Sequence, residues 1–269
     1  MKTHLVASDI DRTLVFKERL TSEDGYQFAG KPRFITKRAV ELIERIQEEA
    51  LFGLFTGNRE EKAKQRSIHI PHNYLVLEHG CVILQKIQQT SMEYQRDEEW
   101  DYKIKRFVQG QLMEYEEMLH RNGIQTAWEA REASFKVYIT DRDNTTNGEL
   151  TRIKELTEKH SLEITLTQNK GKLYALPTIG TKEKALQEII DRENTLNKLE
   201  LSMADTFGMG DDINDISMLL KVGFPMTLNS ASQEIKDVVL SRRGYISPYI
   251  SHEGASDMLN YILGKIIQV

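Results

Sequence analysis

The sequence predicts an α/β fold in which a doubly wound parallel sheet is interrupted by a smaller α+β unit. Short apolar segments alternate with helical segments at both ends of the chain, whereas the middle third follows a different order. Apolar strands separated by helices are typical of a parallel sheet covered on both faces. At 269 residues, the chain is long enough for two domains and a sizeable core.

The first part of the chain alternates strands and helices. Residues 5–7 predict a short apolar strand that runs directly into acidic residues, and Thr36 is placed to cap a helix over residues 37–49. Residues 51–55 predict a buried strand, a charged helical segment follows, and residues 74–77 predict the next strand. Strands that follow one another in this way are expected to pair in parallel.

The middle third differs in its order of elements. A helix is followed by two strands, and this order then repeats, which predicts a small α+β unit with an antiparallel sheet. The charged segment 95–105, which contains Trp100 and Tyr102, predicts a solvated helix, with a lid or a dimer contact as alternatives. The other predicted elements are helices over 107–120 and 149–160 and strands over 124–128, 134–140, 162–167 and 172–176.

The α/β pattern resumes in the last third, with a helix after Thr181 and a strand over residues 206–209. We therefore predict that residues 1–82 and 177–269 form one core, and that residues 83–176 are an inserted α+β domain. A core divided in this way brings motifs from both ends of the sequence to the same sheet.

Composition and charge exclude several classes of protein. Hydrophobic residues make up 39% and charged residues 29%, with 5 prolines, which excludes collagen-like and wholly disordered chains. The net charge of −5 disfavours general binding to nucleic acids or anionic membranes.

Cys81 is the one cysteine and lies in an apolar run, so we predict a buried, inert thiol. The sequence has neither a signal-peptide pattern nor a long apolar run, so a cytoplasmic protein is expected. A monomer or a homodimer is expected.

Two acidic side chains, Asp9 and Asp11, end the first predicted strand in the run DIDRTL. Ligands of open α/β sheets bind beyond the carboxyl ends of the strands, so both carboxylates lie where a substrate would bind. One carboxylate could attack an electrophile while the other transfers protons. The alternative is a surface turn in which an aspartate caps a helix.

Three further polar motifs follow strands or begin helices. The run FTGNR over residues 55–59 could present a hydroxyl and a backbone N–H to a phosphate, or could be an ordinary helix cap. The run GDDIND over residues 210–215 offers oxygen ligands for a hard divalent cation, with a solvated loop as the alternative. Lys182 begins a helix, where the helix dipole disfavours a cation, so its position indicates a nearby anion or a function. The alternative is an ordinary exposed lysine.

In this order, the motifs resemble those of the haloacid dehalogenase (HAD) superfamily of Mg²⁺-dependent phosphotransferases. The family pattern of D-x-D-x-T, a strand-end threonine, a lysine and G-D-x-x-N-D is matched at Asp9, Thr56, Lys182 and Gly210. The resemblance covers most of the chain and implies a HAD-like, Rossmann-like core whose insertion is a C2-type cap. The insertion is most similar to that of the sucrose-phosphate phosphatase and Cof-type subgroup.

The resemblance implies a role for each matched residue. Asp9 is expected to be the nucleophile that forms an aspartyl-phosphate, and Asp11 the general acid and base. Asp212 is a further metal ligand or a supporting group. The remaining roles are phosphate binding by Thr56, Gly57, Lys182 and Asn214, and Mg²⁺ binding by Asp9, Asp11, Asp211 and Asp215, with Asp11 binding through its backbone carbonyl.

The sequence departs from the family pattern at two positions. Arg12 stands where many members have glycine, and no role is assigned to it. Glu183 stands where glycine often follows the motif lysine, which makes Lys184 a competitor for the phosphate-binding role. The spacing to the following Ala185-Leu186 pair favours Lys182.

The resemblance implies a Mg²⁺-dependent phosphomonoester hydrolase whose substrate is a small phosphorylated metabolite, best a sugar phosphate. A phosphosugar mutase or other phosphotransferase would share the aspartyl-phosphate chemistry, and a non-catalytic protein that binds Mg²⁺ or a phosphorylated ligand is a third alternative. A pure binder would have no need of Asp11. Candidate specificity residues on the insertion are Lys136, Tyr138, Asn169 and Lys172, with simple packing as the alternative for Tyr138.

Overall fold

A central sheet of eight strands organises most of the chain. The computed structural model describes residues 2–28, 32–88, 91–129, 131–138, 146–159, 163–169 and 172–267. The strands of this sheet are β1 (His4–Asp9), β4 (Ala50–Phe55), β5 (Tyr74–Leu77), β6 (Val82–Lys86), β7 (Tyr94–Arg96), β12 (Thr206–Met209), β13 (Phe224–Leu228) and β14 (Tyr245–Ser247). Their order across the sheet is β14-β13-β12-β1-β4-β5-β6-β7, so the first strand of the chain lies in the interior.

The strands from β14 to β5 pair in parallel, as the sequence predicts. The other edge differs, because β6 and β7 add to the sheet in antiparallel orientation. A tight turn over Glu78–Gly80 reverses the chain, with Glu78 and His79 both at positive φ. The chain therefore leaves the large sheet after Arg96, whereas the sequence pattern places that point at residue 82. The pairing of β6 with β5 is made through the turn at Glu78–Gly80, which the apolar run of β6 does not reveal. β7 is short and polar, with none of the apolar alternation that marks a strand.

Helices cover both faces of the large sheet. Alternation along β1 directs Val6 into one apolar cluster and Leu5 and Ala7 into the other. Thr36 caps the first helix by accepting a hydrogen bond from the Ala39 backbone N–H at 3.1 Å, which confirms the predicted cap. The helices of this part are α1 (Lys37–Glu49), α2 (Glu60–Ser67), α6 (Lys182–Asn197), α7 (Ile216–Leu219), α8 (Gln233–Ser241) and α9 (Ser251–Ile267).

The middle of the chain forms a second sheet with its own apolar cluster, which we call the insertion. Its four strands pair in antiparallel orientation in the order β10-β11-β9-β8, as the sequence predicts. A π-helical turn over Val108–Leu112 joins its first two helices. The elements are α3 (Glu98–Phe107), α4 (Met113–Arg121), β8 (Thr126–Ala127), β9 (Phe135–Val137), α5 (Thr146–Lys159), β10 (Ile164–Asn169) and β11 (Lys172–Pro177).

The charged segment 95–105 contributes to α3, but the prediction of a solvated helix is wrong for its inner face. Trp100 and Ile104 are buried against the large sheet. The Trp100 indole N–H donates to the Gly80 carbonyl at 3.0 Å. The exposed charged residues of this helix dominate its composition and conceal the two buried positions; they are Glu98, Glu99, Lys105 and Arg106. Cys81 lies nearby and is buried, as predicted.

A short hairpin of β2 (Gly25–Gln27) and β3 (Phe34–Thr36) follows the first strand, in a part of the chain whose sequence predicts no element. It places Arg33 beside the carboxyl end of β1, with its Nε 3.7 Å from an Asp11 carboxylate oxygen.

None of the helices in the described ranges has both the length and the apolar character needed to span a bilayer.

Candidate active site

The carboxyl ends of β1, β4 and β12 meet at one edge of the large sheet. In the parallel register, Asp9 pairs with Phe55 and Ser8 pairs with Met209. The motif residues that follow these strands are therefore close in space although they are distant in sequence. Ligand sites of open α/β sheets occur at this edge.

Lys182 lies between two carboxylates of this edge. Its Nζ is 2.6 Å from an Asp9 oxygen and 2.5 Å from an Asp215 oxygen, and its side chain is 0% exposed. Burial opposes the charge of Lys182, but the attraction of Asp215 and Asp9 outweighs that cost and raises its pKa. Lys184, the competing lysine, is exposed on the same helix. The fold therefore brings Lys182, and not Lys184, to the predicted nucleophile.

Three carboxylates, from Asp9, Asp211 and Asp215, form a cluster whose oxygens lie within 4.8 Å of one another. Burial is the main cause that raises the pKa of Asp9 to about 7 and the pKa of Asp211 to about 8, and the neighbouring carboxylates add to it. Asp215 accepts hydrogen bonds from the backbone N–H groups of Asp211 and Asp212, both at 3.0 Å. Mutual repulsion between buried oxygen ligands is what a hard divalent cation would relieve, so these residues fit Mg²⁺.

Asp11 lies outside this carboxylate cluster and faces the loop after β4. The Asn58 side-chain amide donates to Asp11 at 3.2 Å and to the Thr56 hydroxyl at 2.8 Å. One amide therefore ties the predicted acid and base to the predicted phosphate-binding threonine. For Asp11, the resemblance implies Mg²⁺ binding through the backbone carbonyl, which does not require its carboxylate to join the cluster.

The turn after β12 positions the remaining predicted residues. Asp212 accepts a hydrogen bond from the Ile213 backbone N–H at 2.9 Å and acts as a helix cap. Its carboxylate is not part of the carboxylate cluster. The Asn214 amide lies 3.5 Å from Nδ1 of His79, whose pKa burial lowers well below its usual value. Arg12, at positive φ, points its guanidinium towards Asp211 at 4.0 Å.

The predicted specificity residues lie on the insertion. Lys136 Nζ is 3.3 Å from a Glu129 carboxylate oxygen and 3.8 Å from the centre of the Tyr138 ring. Lys172 pairs in register with Asn169 and lines a cavity beside Gly57. The backbone of Asn169 is part of β10, while its side chain lies outside the described residues.

Three site residues have no role in the sequence analysis: Asn58, Arg33 and Arg131. Asn58 lies inside the motif that ends β4, so its proximity to Asp11 could have been inferred from that motif. Arg131 donates to the Gly57 carbonyl at 2.9 Å across 74 residues of sequence. No local pattern signals the contacts of Arg131 or Arg33, because both depend on the tertiary fold.

Comparison with known proteins identifies the class. The family model of haloacid dehalogenase-like hydrolases matches residues 6–242, so the chain belongs to this family of hydrolases.

Among solved structures, the sucrose-phosphatase of Synechocystis sp. PCC6803, in complex with sucrose and phosphate, has a TM-score of 0.71 at 14% identity, over 97% of this chain and 98% of that chain. The haloacid dehalogenase-like hydrolase protein yhjK of Bacillus subtilis has a TM-score of 0.65 at 17% identity, over 98% of this chain and 93% of that chain. Trehalose-6-phosphate phosphatase of Aspergillus fumigatus has a TM-score of 0.61 at 15% identity, over 98% of this chain and 93% of that chain. These similarities show a common fold over nearly the whole chain.

Proposed function

We propose that this hydrolase is a Mg²⁺-dependent phosphatase of small phosphorylated metabolites, with a sugar phosphate as its substrate. The observation that carries the proposal is the buried Lys182, held by Asp9 and Asp215, which together with Asp211 form the three-carboxylate cluster. A cation adjacent to a strand-end carboxylate reduces the repulsion that an anionic phosphate would otherwise meet.

In the proposed reaction, an Asp9 oxygen attacks phosphorus and the bond to the substrate's alcohol oxygen breaks. Asp11 gives its proton to the departing alkoxide, so an alcohol leaves and an aspartyl-phosphate remains on Asp9. Asp11, now a carboxylate, then takes a proton from water as the water oxygen attacks phosphorus. Inorganic phosphate leaves, and Asp9 is regenerated as a carboxylate.

The other residues of the site bind and orient the phosphate. We assign its oxygens to the Thr56 hydroxyl, the Gly57 backbone N–H, Lys182 and Asn214. Asn58 holds Asp11 and Thr56 in fixed relation through its two hydrogen bonds. Mg²⁺, when held by Asp9, Asp211, Asp215 and the Asp11 carbonyl, would supply positive charge against the phosphate oxygens.

Two observations support a sugar phosphate. The similar structures include a sucrose-phosphatase and a trehalose-6-phosphate phosphatase. Two polar side chains of the insertion, Arg131 and Lys172, also line the cavity beside Gly57, which lies in the loop after β4. On this basis we assign specificity to Lys172, while Lys136, Tyr138 and Asn169 stay predictions from the sequence.

Phosphate release from a panel of sugar phosphates tests the proposal. We expect turnover with Mg²⁺, loss of turnover on addition of a chelator, and loss of at least about a thousandfold in kcat for Asp9→Asn. Asp237→Asn is the matched control, because Asp237 is exposed on α8 and accepts a hydrogen bond from Gln233 of the same helix. Turnover that persists with the chelator, or an Asp9→Asn variant with wild-type activity, would contradict the proposal.

A further inference from the structure

The cavity beside Gly57 adjoins the proposed phosphate site and has a volume of about 360 Å³. It lies between the loop after β4 and the insertion. Gly57 and Asn58, which follow the predicted phosphate-binding threonine, form part of its wall. The charged and aromatic side chains that line it are Arg59, Lys62, Glu129, Arg131, Lys172 and Tyr174.

The lining of this cavity is strongly cationic, although the chain as a whole is acidic. Four of the lining side chains carry positive charge and one is a carboxylate. That carboxylate, on Glu129, lies 3.3 Å from Lys136 Nζ, so it is already paired with another cation. Arg59 makes one further contact, at 3.7 Å to the exposed Glu61. An excess of cations in a concave site attracts an anionic ligand.

Arg131 is held in place before any ligand binds. Its guanidinium donates to the Gly57 carbonyl at 2.9 Å and lies 4.5 Å from the centre of the Tyr174 ring. The buried Glu78 carboxylate fixes the following backbone by accepting from the N–H groups of Glu132 and Ala133, both at 3.1 Å. A cation positioned in this way binds without a large ordering cost.

The cavity is close enough to the phosphate site to bind another part of the same molecule. Arg59 follows Gly57 by two residues, so their Cα atoms are separated by no more than about 8 Å. Gly57, whose backbone N–H is assigned to the phosphate, is itself part of the cavity wall, so the two positions adjoin. A phosphate at Thr56 and Lys182 and an anion in the cavity could therefore belong to one substrate.

We propose that the leaving group of the substrate carries a second anionic group, a carboxylate or a second phosphate, which binds in the cavity lined by Arg59, Arg131 and Lys172. This inference rests on the proposed phosphatase function and narrows its substrate class. A neutral sugar phosphate would present no charge to Arg59, Arg131 and Lys172.

Matched pairs of substrates test the inference. We expect kcat/KM for 3-phosphoglycerate to exceed that for glycerol 3-phosphate, or that for fructose 1,6-bisphosphate to exceed that for fructose 6-phosphate, by at least about tenfold. The first pair differs by a carboxylate and the second by a phosphate, so the pair that responds identifies the anion. Ratios near one in both pairs would overturn the inference.

Variants then test whether the cavity causes the preference. Lys172→Gln and Arg59→Gln are each expected to lower the ratio at least about threefold, mainly through KM of the more anionic substrate. Lys64→Gln is the matched control, because Lys64 lies on α2 but pairs with Glu60 away from the cavity, and it should leave the ratio unchanged. A ratio that persists in both cavity variants overturns the inference. Phosphate release without preference contradicts this inference alone, whereas no release from any compound contradicts the phosphatase itself.

Discussion

Lys182 is the residue on which the proposed chemistry most depends. It is a fully buried cation whose charge is stable only because Asp9 and Asp215 contact it. Removing one member of such a group leaves the others buried without compensation, which is costly for stability. The same change removes the positive charge next to the attacked phosphate.

Replacement of Lys182 should therefore affect both activity and stability. We expect Lys182→Met to lower kcat at least about a hundredfold and to reduce the free energy of unfolding by about 3 kcal/mol. Steady-state kinetics and urea unfolding measure the two effects. Lys184→Met, at an exposed position on the same helix, should change neither, and a larger effect at Lys184 would reverse the assignment.

The three-carboxylate cluster predicts that Mg²⁺ stabilises the folded chain. At a concentration about a hundredfold above its Kd, Mg²⁺ is expected to raise the midpoint of thermal unfolding by about 5–10 °C. Asp211→Asn should abolish most of this rise, because it removes one of the three ligand side chains. Asp212→Asn is the control, since its carboxylate caps a helix. Equal Mg²⁺ effects in the wild type and Asp211→Asn would show that the ion binds elsewhere.

At the scale of elements, the turn after β5 sets the position of α6. Gly80 has φ of +131°, and a Cβ atom at this position would lie 2.2 Å from the Thr181 carbonyl and 2.7 Å from the Lys182 nitrogen. Only glycine allows the turn to approach the start of α6 this closely. The turn thereby contributes to the placement of Lys182, although it contains none of the proposed catalytic residues.

A methyl group at Gly80 should displace the start of α6. We expect Gly80→Ala to lower the free energy of unfolding by about 2 kcal/mol or more, and to lower kcat because Lys182 moves relative to Asp9. Gly264→Ala serves as the control: Gly264 lies in α9 with nothing within 4 Å of an added Cβ, and alanine there should stabilise by about 0.5–1 kcal/mol. Wild-type stability and kcat in Gly80→Ala would rule out this coupling.

For the molecule as a whole, a buried histidine links stability to pH. His72 is inaccessible to solvent, with Nδ1 2.6 Å from the Ile70 carbonyl and Nε2 2.8 Å from the Tyr94 hydroxyl. Because a carbonyl only accepts, Nδ1 carries the proton and Nε2 accepts from Tyr94. Burial lowers the pKa of His72 to about 4 from its ordinary 6.5.

The lowered pKa of His72 determines whether the stability of the folded chain rises or falls with pH. Between pH 6.5 and 4 the unfolded chain binds a proton that the folded chain does not, so stability falls as pH falls through this range. From pH 7.5 to pH 5, His72 should cost about 2 kcal/mol of unfolding free energy. Urea unfolding of the wild type and His72→Gln measures it, because the variant lacks this contribution. Parallel pH profiles for the two proteins would exclude it.

Much of the fold and of the site follows from local patterns in the sequence. The Thr36 cap, the strands at Tyr74–Leu77 and Thr206–Met209, and the antiparallel sheet of the insertion all follow from periodicity and capping. The motifs at Asp9, Lys182 and Asp215 identify side chains that the fold brings into contact. Such features are local or carried by short motifs, so they can be recognised from one amino-acid sequence.

Other features depend on distant contacts and leave no local signal. The polar strand β7 and the hairpin of β2 and β3 are too short to show alternation. Glu78 accepts from the Ala133 backbone across 55 residues, and nothing near either residue predicts the other. Trp100 lies buried within a segment whose composition is mostly charged, so the average character of the segment conceals it.

The interior position of β1 has a consequence for synthesis of the chain on the ribosome. One edge of β1 pairs with β4, which follows soon after it, but the other edge pairs with β12, which begins at Thr206. At about 5–20 residues per second, the ribosome needs roughly 10–40 s to add the intervening residues. Throughout that interval the nascent chain presents an unpaired strand edge that bears Asp9, the proposed nucleophile. An edge of this kind pairs readily with other chains, so protection by chaperones matters most before β12 emerges.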